Sequence, residues 1–229
     1  MPPPLLRRPN RLVFIPLPTQ NSLVSTVADE LSQLTSSLFF WQSYDRAIKA
    51  DLFSTAVVTR AGVFVVDPIL LDHSELGQLQ QCARIAGVIV TNANHHRAAT
   101  WYSQQFSVPI FAAADVFPGE KPTRFIQIED GEKIENEFEI RQIDGAVAGE
   151  VALYHGRDGG VLIIGDALIN FEPYGFTFLP SKYCRDQNEM RRSLRKLLDC
   201  QAERILFAHG APILSDVNAR LRQLLDVDC

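Results

Sequence analysis

The chain has 229 residues, of which 46% are hydrophobic and 21% are charged, and these proportions exclude a disordered or fibrous protein. Its 22 basic and 27 acidic residues give a formal net charge of −5 without a dense Lys/Arg block. This balance argues against a nucleic-acid or membrane partner and favours a small-molecule ligand. The four cysteines form no CxxC pair, which argues against a cysteine zinc cluster and favours a reducing compartment.

The N-terminal segment does not have the layout of a secretory signal peptide. Its arginines stand beside a short apolar stretch that Pro16 and Pro18 interrupt. No apolar run approaches the ~18 residues that a bilayer-spanning helix needs. We therefore expect a cytoplasmic protein. The first predicted elements are an edge strand at residues 12–15, which Pro16 ends, and a helix over residues 22–35.

A β-hairpin is predicted next, because two apolar runs, at 55–59 and 63–66, flank a glycine turn. The second run ends at Asp67. The apolar residues that follow recur at helical spacing and predict a helix between Ser74 and a stop at Gly87.

A polar cluster at residues 92–97 follows the predicted strand 88–91 and precedes a predicted helix that runs to Gln105. Another strand is predicted at residues 110–112. The cluster therefore stands at the carboxyl end of a strand, which is where open α/β sheets place their ligands.

The second half of the chain repeats the order of strands followed by helices. Residues 124–155 alternate apolar and polar side chains, and a hairpin of residues 151–154 and 161–164 runs into Gly165-Asp166. Asp186 predicts the start of a helix near residue 187, and a last strand at 205–207 runs into His209. This order predicts two sheets packed face to face with helices outside.

The polar strand ends resemble, in order and spacing, the motifs of the metallo-β-lactamase superfamily. In that family the corresponding motifs are THxHxDH, a PGHTxG-like loop, a GD pair and a GHG triplet. The segments that carry the resemblance are Thr91-Asn-Ala-Asn-His-His-Arg97, Asp144-Gly-Ala-Val-Ala-Gly149, Gly165-Asp166 and Ala208-His209-Gly210, after a strand that ends in Asp67-Pro68. The resemblance covers roughly residues 53–214. It implies an α/β fold, a four-layer αββα sandwich that forms one domain over residues 1–229, and a metal-dependent hydrolase.

Several ligand positions of the family carry other residue types in this chain. Asp166 and His209 match the family's bridging aspartate and last histidine. The positions that differ are Asn92, Asn94 and Ala146 for three histidines, His96 for an aspartate, and Arg97 for a fourth histidine. The three-histidine zinc site of the family is therefore not expected, since alanine offers no ligand and asparagine a poor one.

The first functional hypothesis is a hydrolase of a small ester or thioester-like substrate with at most one zinc or iron ion. His96, Asp166 and His209 are the expected metal ligands, and His96 and Asp166 the expected catalytic residues, because two imidazoles and a carboxylate suffice for a catalytic ion. The sequence leaves open whether His95 or His96 faces the pocket.

Two alternatives remain open on the sequence alone. Arg97 can pair with Asp166 and so replace the charge of a metal ion, leaving a metal-free protein that binds a small anion. The ligand-binding residues expected in that case are Asn92, Asn94, His95 and Arg97. Asp67 either orients one of them or caps the following helix. The other alternative is a structural or oligomerising protein without a ligand.

Overall fold

The computed structural model describes residues 27–47 and 49–226. The strand predicted at residues 12–15 lies outside them. In chain order the described residues form β1 (Val27–Ala28), β2 (Ser32–Gln33), β3 (Leu38–Asp45), β4 (Ala50–Val58), β5 (Val63–Val66), β6 (Leu70–Leu71), α1 (His73–Cys82), β7 (Ile85–Ile89), α2 (Ala99–Phe106), β8 (Ile110–Ala112), β9 (Phe125–Gln127), β10 (Lys133–Ile134), β11 (Phe138–Gln142), β12 (Val151–His155), β13 (Val161–Ile164), β14 (Leu168–Phe171), β15 (Gly175–Phe178), α3 (Gln187–Leu194), β16 (Arg204–Phe207) and α4 (Val217–Asp226).

Two sheets form the centre of the fold. The first has seven strands in the order β2-β3-β4-β5-β7-β8-β9, and the second has five in the order β10-β11-β12-β13-β16. The predicted hairpins correspond to the antiparallel pairs β4-β5 and β12-β13. Two short two-stranded pairs, β1-β6 and β14-β15, complete the strands of the described chain.

Alternation along the second sheet shows how the layers stack. In β13, Val161 and Ile163 belong to the core cluster that joins residues of both sheets with residues of α1 and α2. Their neighbours Leu162 and Ile164 belong to a second core that contains Met190 of α3 and side chains of α4. Because successive strand residues point to opposite faces, this sheet is covered by the first sheet on one side and by helices on the other. The result is the predicted four-layer αββα sandwich.

Two predicted helices differ from the structure. Residues 22–35 were expected to be helical, but their described part contains the short strands β1 and β2. Helix α1 begins after Asp72, which accepts a hydrogen bond from the Glu75 backbone N–H at 2.9 Å, and it ends at Cys82 instead of continuing to Gly87. The following residues form β7, which pairs with β5 and β8 in the middle of the sheet. Strand pairing therefore outweighs the helical spacing of the alanines in this segment.

The topology brings four strand ends to one edge of the sandwich. β5 and β7 are parallel neighbours in the first sheet, and β13 and β16 are parallel neighbours in the second. The residues that follow these strands are Asp67, the 92–97 cluster, Asp166 and His209. Carboxyl ends of neighbouring parallel strands meet at one edge, so each sheet presents two polar segments to the same place.

Candidate functional site

Asp67 fixes the loop that follows β7. Its Oδ1 accepts a hydrogen bond from the Thr91 backbone N–H at 2.8 Å, and its Oδ2 accepts one from the Thr91 hydroxyl at 2.6 Å. Oδ2 also lies 2.9 Å from Nδ1 of His95. Asp67 therefore orients His95, which is one of the two roles predicted for it. It does not cap α1, since Asp72 does so.

His95, Asp166 and His209 converge on one point. The distance from His95 Nε2 to Asp166 Oδ1 is 3.3 Å, and that from His209 Nε2 to the same oxygen is 3.4 Å. One ligand atom from each of the three residues lies within 4.8 Å of the others. His95 Nε2 is buried, and its contact with Asp166 Oδ1 has the distance of an ion pair but not the geometry of a hydrogen bond. The three side chains thus direct two imidazole nitrogens and a carboxylate oxygen toward a common position.

The opposite nitrogen of each histidine ring has an acceptor beside it. Nδ1 of His95 faces Asp67, and Nδ1 of His209 lies 3.1 Å from the backbone carbonyl of Asp51. An acceptor at Nδ1 holds a proton there, so Nε2 is the nitrogen that would be free of a proton when a cation is bound. Ligating histidines in metal sites are usually oriented in this way.

Two asparagines hold the other oxygen of Asp166. The side-chain amides of Asn92 and Asn94 each donate to Asp166 Oδ2 at 3.2 Å. These residues, predicted to bind a ligand, therefore bind Asp166 and orient Oδ1 toward the histidines. Ala146, which stands at the third histidine position of the family, is buried in the core of the second sheet.

Glu150 is a site residue that the sequence analysis missed. Its Oε2 accepts a hydrogen bond from the Asn92 amide at 2.6 Å, and its Oε1 accepts one from the Ala167 backbone N–H at 3.0 Å. Only 1% of the residue is exposed. The one signal in the sequence was an acid directly before an apolar strand, next to the Ala146 loop, and this pattern is too common to single out a residue.

Arg97 does not pair with Asp166. Its guanidinium donates to the backbone carbonyls of Phe53, Asp67 and Ala208, at 2.5, 3.0 and 3.3 Å. These carbonyls lie in or directly after β4, β5 and β16, so the side chain ties strands of both sheets together at the edge that carries the site. The prediction of an Arg97–Asp166 ion pair is therefore wrong.

His96 lies outside the site, so its prediction as a metal ligand and catalytic residue is corrected. Its Nε2 lies 2.6 Å from the carbonyl oxygen of Val116, and its ring stacks on Phe117 at a centroid distance of 4.5 Å. The cause is local, since Asn92 Oδ1 accepts from the Asn94 N–H and Asn92 O accepts from the His95 N–H. This turn points His95 inward and His96 outward.

The titratable groups of the cluster shift one another's pKa values strongly. Burial alone lowers the pKa of His95, but Asp166 and Asp67 on either side outweigh it and raise the pKa to about 9. Burial acts to raise the pKa of Asp166, yet His95 and His209 hold it well below its ordinary value. Burial lowers the pKa of His209 to about 4, so this ring is neutral at pH 7. Burial, followed by the charge of Asp166, raises the pKa of Glu150 to about 8.

A cavity of about 770 Å³ opens onto the three converging residues. Its floor contains Asn94, Arg97 and the metal-ligand candidates, and its walls are largely apolar. The exposed rings of Tyr174 and Tyr183, 63% and 59% accessible, stand at the wall. A concave apolar pocket with a few convergent polar groups is the usual form of a small-molecule site.

A family model described as the metallo-beta-lactamase superfamily matches residues 32–227. No curated protein shows a significant sequence match to the chain. None of the described helices has both the length and the apolar composition needed to cross a bilayer.

Solved structures of the same fold cover most of the chain at low sequence identity. The DIM-1 metallo-beta-lactamase is 12% identical, with a TM-score of 0.67 over 87% of this chain and 98% of that one. A metallo-beta-lactamase from Pontibacter korlensis is 14% identical, with a TM-score of 0.65 over 86% and 99%. TTHA1623, solved in a di-iron-bound form, is 19% identical, with a TM-score of 0.59 over 79% and 97%. On the family match, the chain belongs to the metallo-beta-lactamase superfamily.

Proposed function

We propose that the protein is a hydrolase that uses one zinc or iron ion, held by Nε2 of His95, Oδ1 of Asp166 and Nε2 of His209. The observation that carries the proposal is the convergence of these three atoms, which lie within 4.8 Å of one another at a largely buried position. A bound cation would replace the proton between His95 Nε2 and Asp166 Oδ1 and would accept all three atoms as ligands. Two imidazoles and one carboxylate suit a catalytic zinc or a non-haem iron.

The surroundings of these atoms support one ion and not two. Asn92 and Asn94 occupy Asp166 Oδ2 with their own N–H groups, so this oxygen is directed away from a second ion. Arg97 brings a permanent positive charge close to Asp67 and Asp166. A second cation would meet this charge and would find two amides where the family has imidazoles.

The bound ion would polarise a substrate carbonyl and lower the pKa of a water molecule toward ~7. The protein contributes the orientation of the site. Asp67 and the Asp51 carbonyl hold the two imidazole rings, and Asn92 and Asn94 hold the carboxylate. The apolar walls of the 770 Å³ cavity would bind the nonpolar part of a small ester or thioester and reduce access of bulk water to it.

Binding of a small anion in a metal-free site is supported less well. The donors predicted for it already serve acceptors of the protein itself: Arg97 binds three carbonyls, and Asn92 and Asn94 bind carboxylates. An anion would have to displace these hydrogen bonds.

The test is reconstitution followed by an assay on a panel of small esters and thioesters. Metal-stripped protein is loaded with Zn²⁺ or Fe²⁺, and hydrolysis is followed for wild type, Asp166→Asn and the exposed control Asp115→Asn. We expect metal-dependent hydrolysis in wild type and in the control and its loss in Asp166→Asn. Wild-type protein that binds one ion but hydrolyses no member of the panel would contradict the choice of substrate class. Binding of no ion would contradict the proposal itself.

A further inference from the structure

Glu150 is linked to the Oδ2 side of Asp166, because the Asn92 amide donates to both carboxyl groups. Its two carboxylate oxygens accept from two different segments, Oε2 from the Asn92 amide and Oε1 from the Ala167 backbone N–H. Asn92 in turn donates to Asp166 Oδ2, and Ala167 is the next residue after Asp166. Glu150 therefore reaches Asp166 by two routes, one through a side chain and one through the backbone.

The fit around Glu150 is close. A Cβ atom placed on Gly165 would lie 2.8 Å from Glu150 Oε1, 2.8 Å from Asn92 Nδ2 and 2.5 Å from Thr91 Oγ1. No side chain fits there without displacing one of these groups, so the glycine before Asp166 allows the carboxylate to approach the main chain. Because of this close approach, the position of the Glu150 carboxyl group depends on the position of the main chain that follows β13.

The burial of Glu150 differs from that of another acid in the same sheet region. Glu137, whose side chain is 6% exposed, pairs with the Arg157 guanidinium at 2.9 Å. The two donors that the structure gives to Glu150 are both neutral. Burying a carboxyl group without a cation in contact is costly, so stability alone does not account for it. Its contacts instead converge on the residues around Asp166.

We propose that Glu150 is a positioning residue for metal binding, which holds Asn92 and the 165–167 turn so that Asp166 presents Oδ1 to the ion. The inference rests on the proposed metal site. It predicts that Glu150 affects the affinity and the coordination geometry of the ion without contacting it. Partners of this kind typically change metal affinity 10- to 100-fold.

The test uses Co²⁺, whose visible d–d absorption reports on coordination geometry, with metal-stripped full-length protein. Affinity, spectrum and thermal midpoint are compared for wild type, Glu150→Ala, Glu150→Gln and the buried control Glu137→Gln. We expect Co²⁺ affinity to fall about 10- to 100-fold in Glu150→Ala, with a changed d–d spectrum. Glu150→Gln keeps the volume of the side chain but has one acceptor oxygen for two donors. Its Co²⁺ affinity should therefore lie between those of wild type and Glu150→Ala. Glu137→Gln should lose thermal stability and keep the wild-type affinity and spectrum.

The outcomes separate this inference from the proposed function. A wild-type protein that binds no Co²⁺ would overturn the metal site and this inference with it. If wild type binds Co²⁺ and both Glu150 variants keep its affinity and spectrum, this inference alone would be overturned. A loss of affinity with an unchanged spectrum, matched by Glu137→Gln, would make Glu150 merely structural and would also overturn it.

A double-mutant cycle tests the route through Asn92. If Glu150 acts partly by holding the Asn92 amide, the double variant Asn92→Ala/Glu150→Ala should weaken Co²⁺ binding by less than the product of the two single effects. Strictly multiplicative effects would contradict the route through the side chain.

Discussion

Asp166 has two sides that differ in what its oxygens meet. Oδ2 accepts from the amides of Asn92 and Asn94, whereas Oδ1 faces Nε2 of His95 and Nε2 of His209 at 3.3 and 3.4 Å. We call them the amide side and the imidazole side. The amide side is satisfied by the protein itself. The imidazole side presents three potential ligand atoms to one position.

Under the proposed function, this difference would reduce a site for more than one ion to a site for one. Replacing imidazole by a primary amide exchanges a ligand for a hydrogen-bond donor, and a donor binds the carboxylate instead of the ion. Asp166 would then be a ligand whose Oδ2 is held by amides and whose Oδ1 coordinates the ion. Each prediction below removes a contact from one side of Asp166 or from its surroundings.

The largest effect is expected for Asp166→Ala, which removes the residue shared by both sides. Without the carboxylate, two imidazoles remain and the charge that balances the cation is lost, so stoichiometric metal binding should be abolished. Calorimetric titration of the metal-stripped variant with Zn²⁺ measures this, with the exposed Asp115→Ala as control. Binding of Zn²⁺ by Asp166→Ala with wild-type affinity would place the ion elsewhere.

The next largest effect is expected on the stability of the sandwich edge that carries Asp166. Arg97→Ala should lower the free energy of unfolding by roughly 2–5 kcal/mol, because it removes one donor from the carbonyls of three strand segments and one of the nearby cations from Asp67 and Asp166. Equilibrium urea unfolding of metal-free wild type and variant gives the value. Since Arg97 does not depend on the ion for its partners, the same loss is expected with metal bound. A variant as stable as wild type would show that the three hydrogen bonds are not formed in solution.

A smaller effect is expected on the amide side. Asn94→Ala removes one of the two donors to Asp166 Oδ2 and should weaken Zn²⁺ binding about tenfold, at the lower end of the range for groups that orient a ligand. Competition with a chromogenic chelator measures the affinity. An unchanged affinity would mean that Asn92 and Glu150 alone fix the carboxylate.

The smallest effect is expected for His96→Phe. The new ring can keep the stacking on Phe117 but loses the contact with the Val116 carbonyl, so the stability should fall by about 1 kcal/mol. Thermal melts with and without Zn²⁺ should show the same stabilisation by metal as in wild type. A smaller stabilisation by Zn²⁺ than in wild type would show that His96 belongs to the metal site.

The strand ends could be predicted from sequence because each is an apolar run that stops at polar residues beside glycine or proline. This pattern placed Asp67, Asp166 and His209 at one edge, and the structure brings them together. The boundary of α1 could not be predicted, since the alanines after it fit a helix as well as a strand and only the pairing of β7 with its neighbours decides between them.

The orientation of the 92–97 loop could not be predicted from the spacing of the family motif. That spacing assigns His96 to a ligand position, but Asn92 closes a turn with its own side chain that histidine does not favour. The turn moves His95 into the site. The partners of Arg97 and Glu150 are backbone groups and an amide distant in sequence, and such contacts leave no local pattern to read.

The central claim is tested most directly by the metal content of wild type, His95→Ala and His96→Ala, each purified without chelator, loaded with Zn²⁺ and dialysed. Elemental analysis should give one zinc ion per chain in wild type and in His96→Ala and close to none in His95→Ala. Two ions per chain in wild type, or loss of zinc in His96→Ala with retention in His95→Ala, would contradict the account.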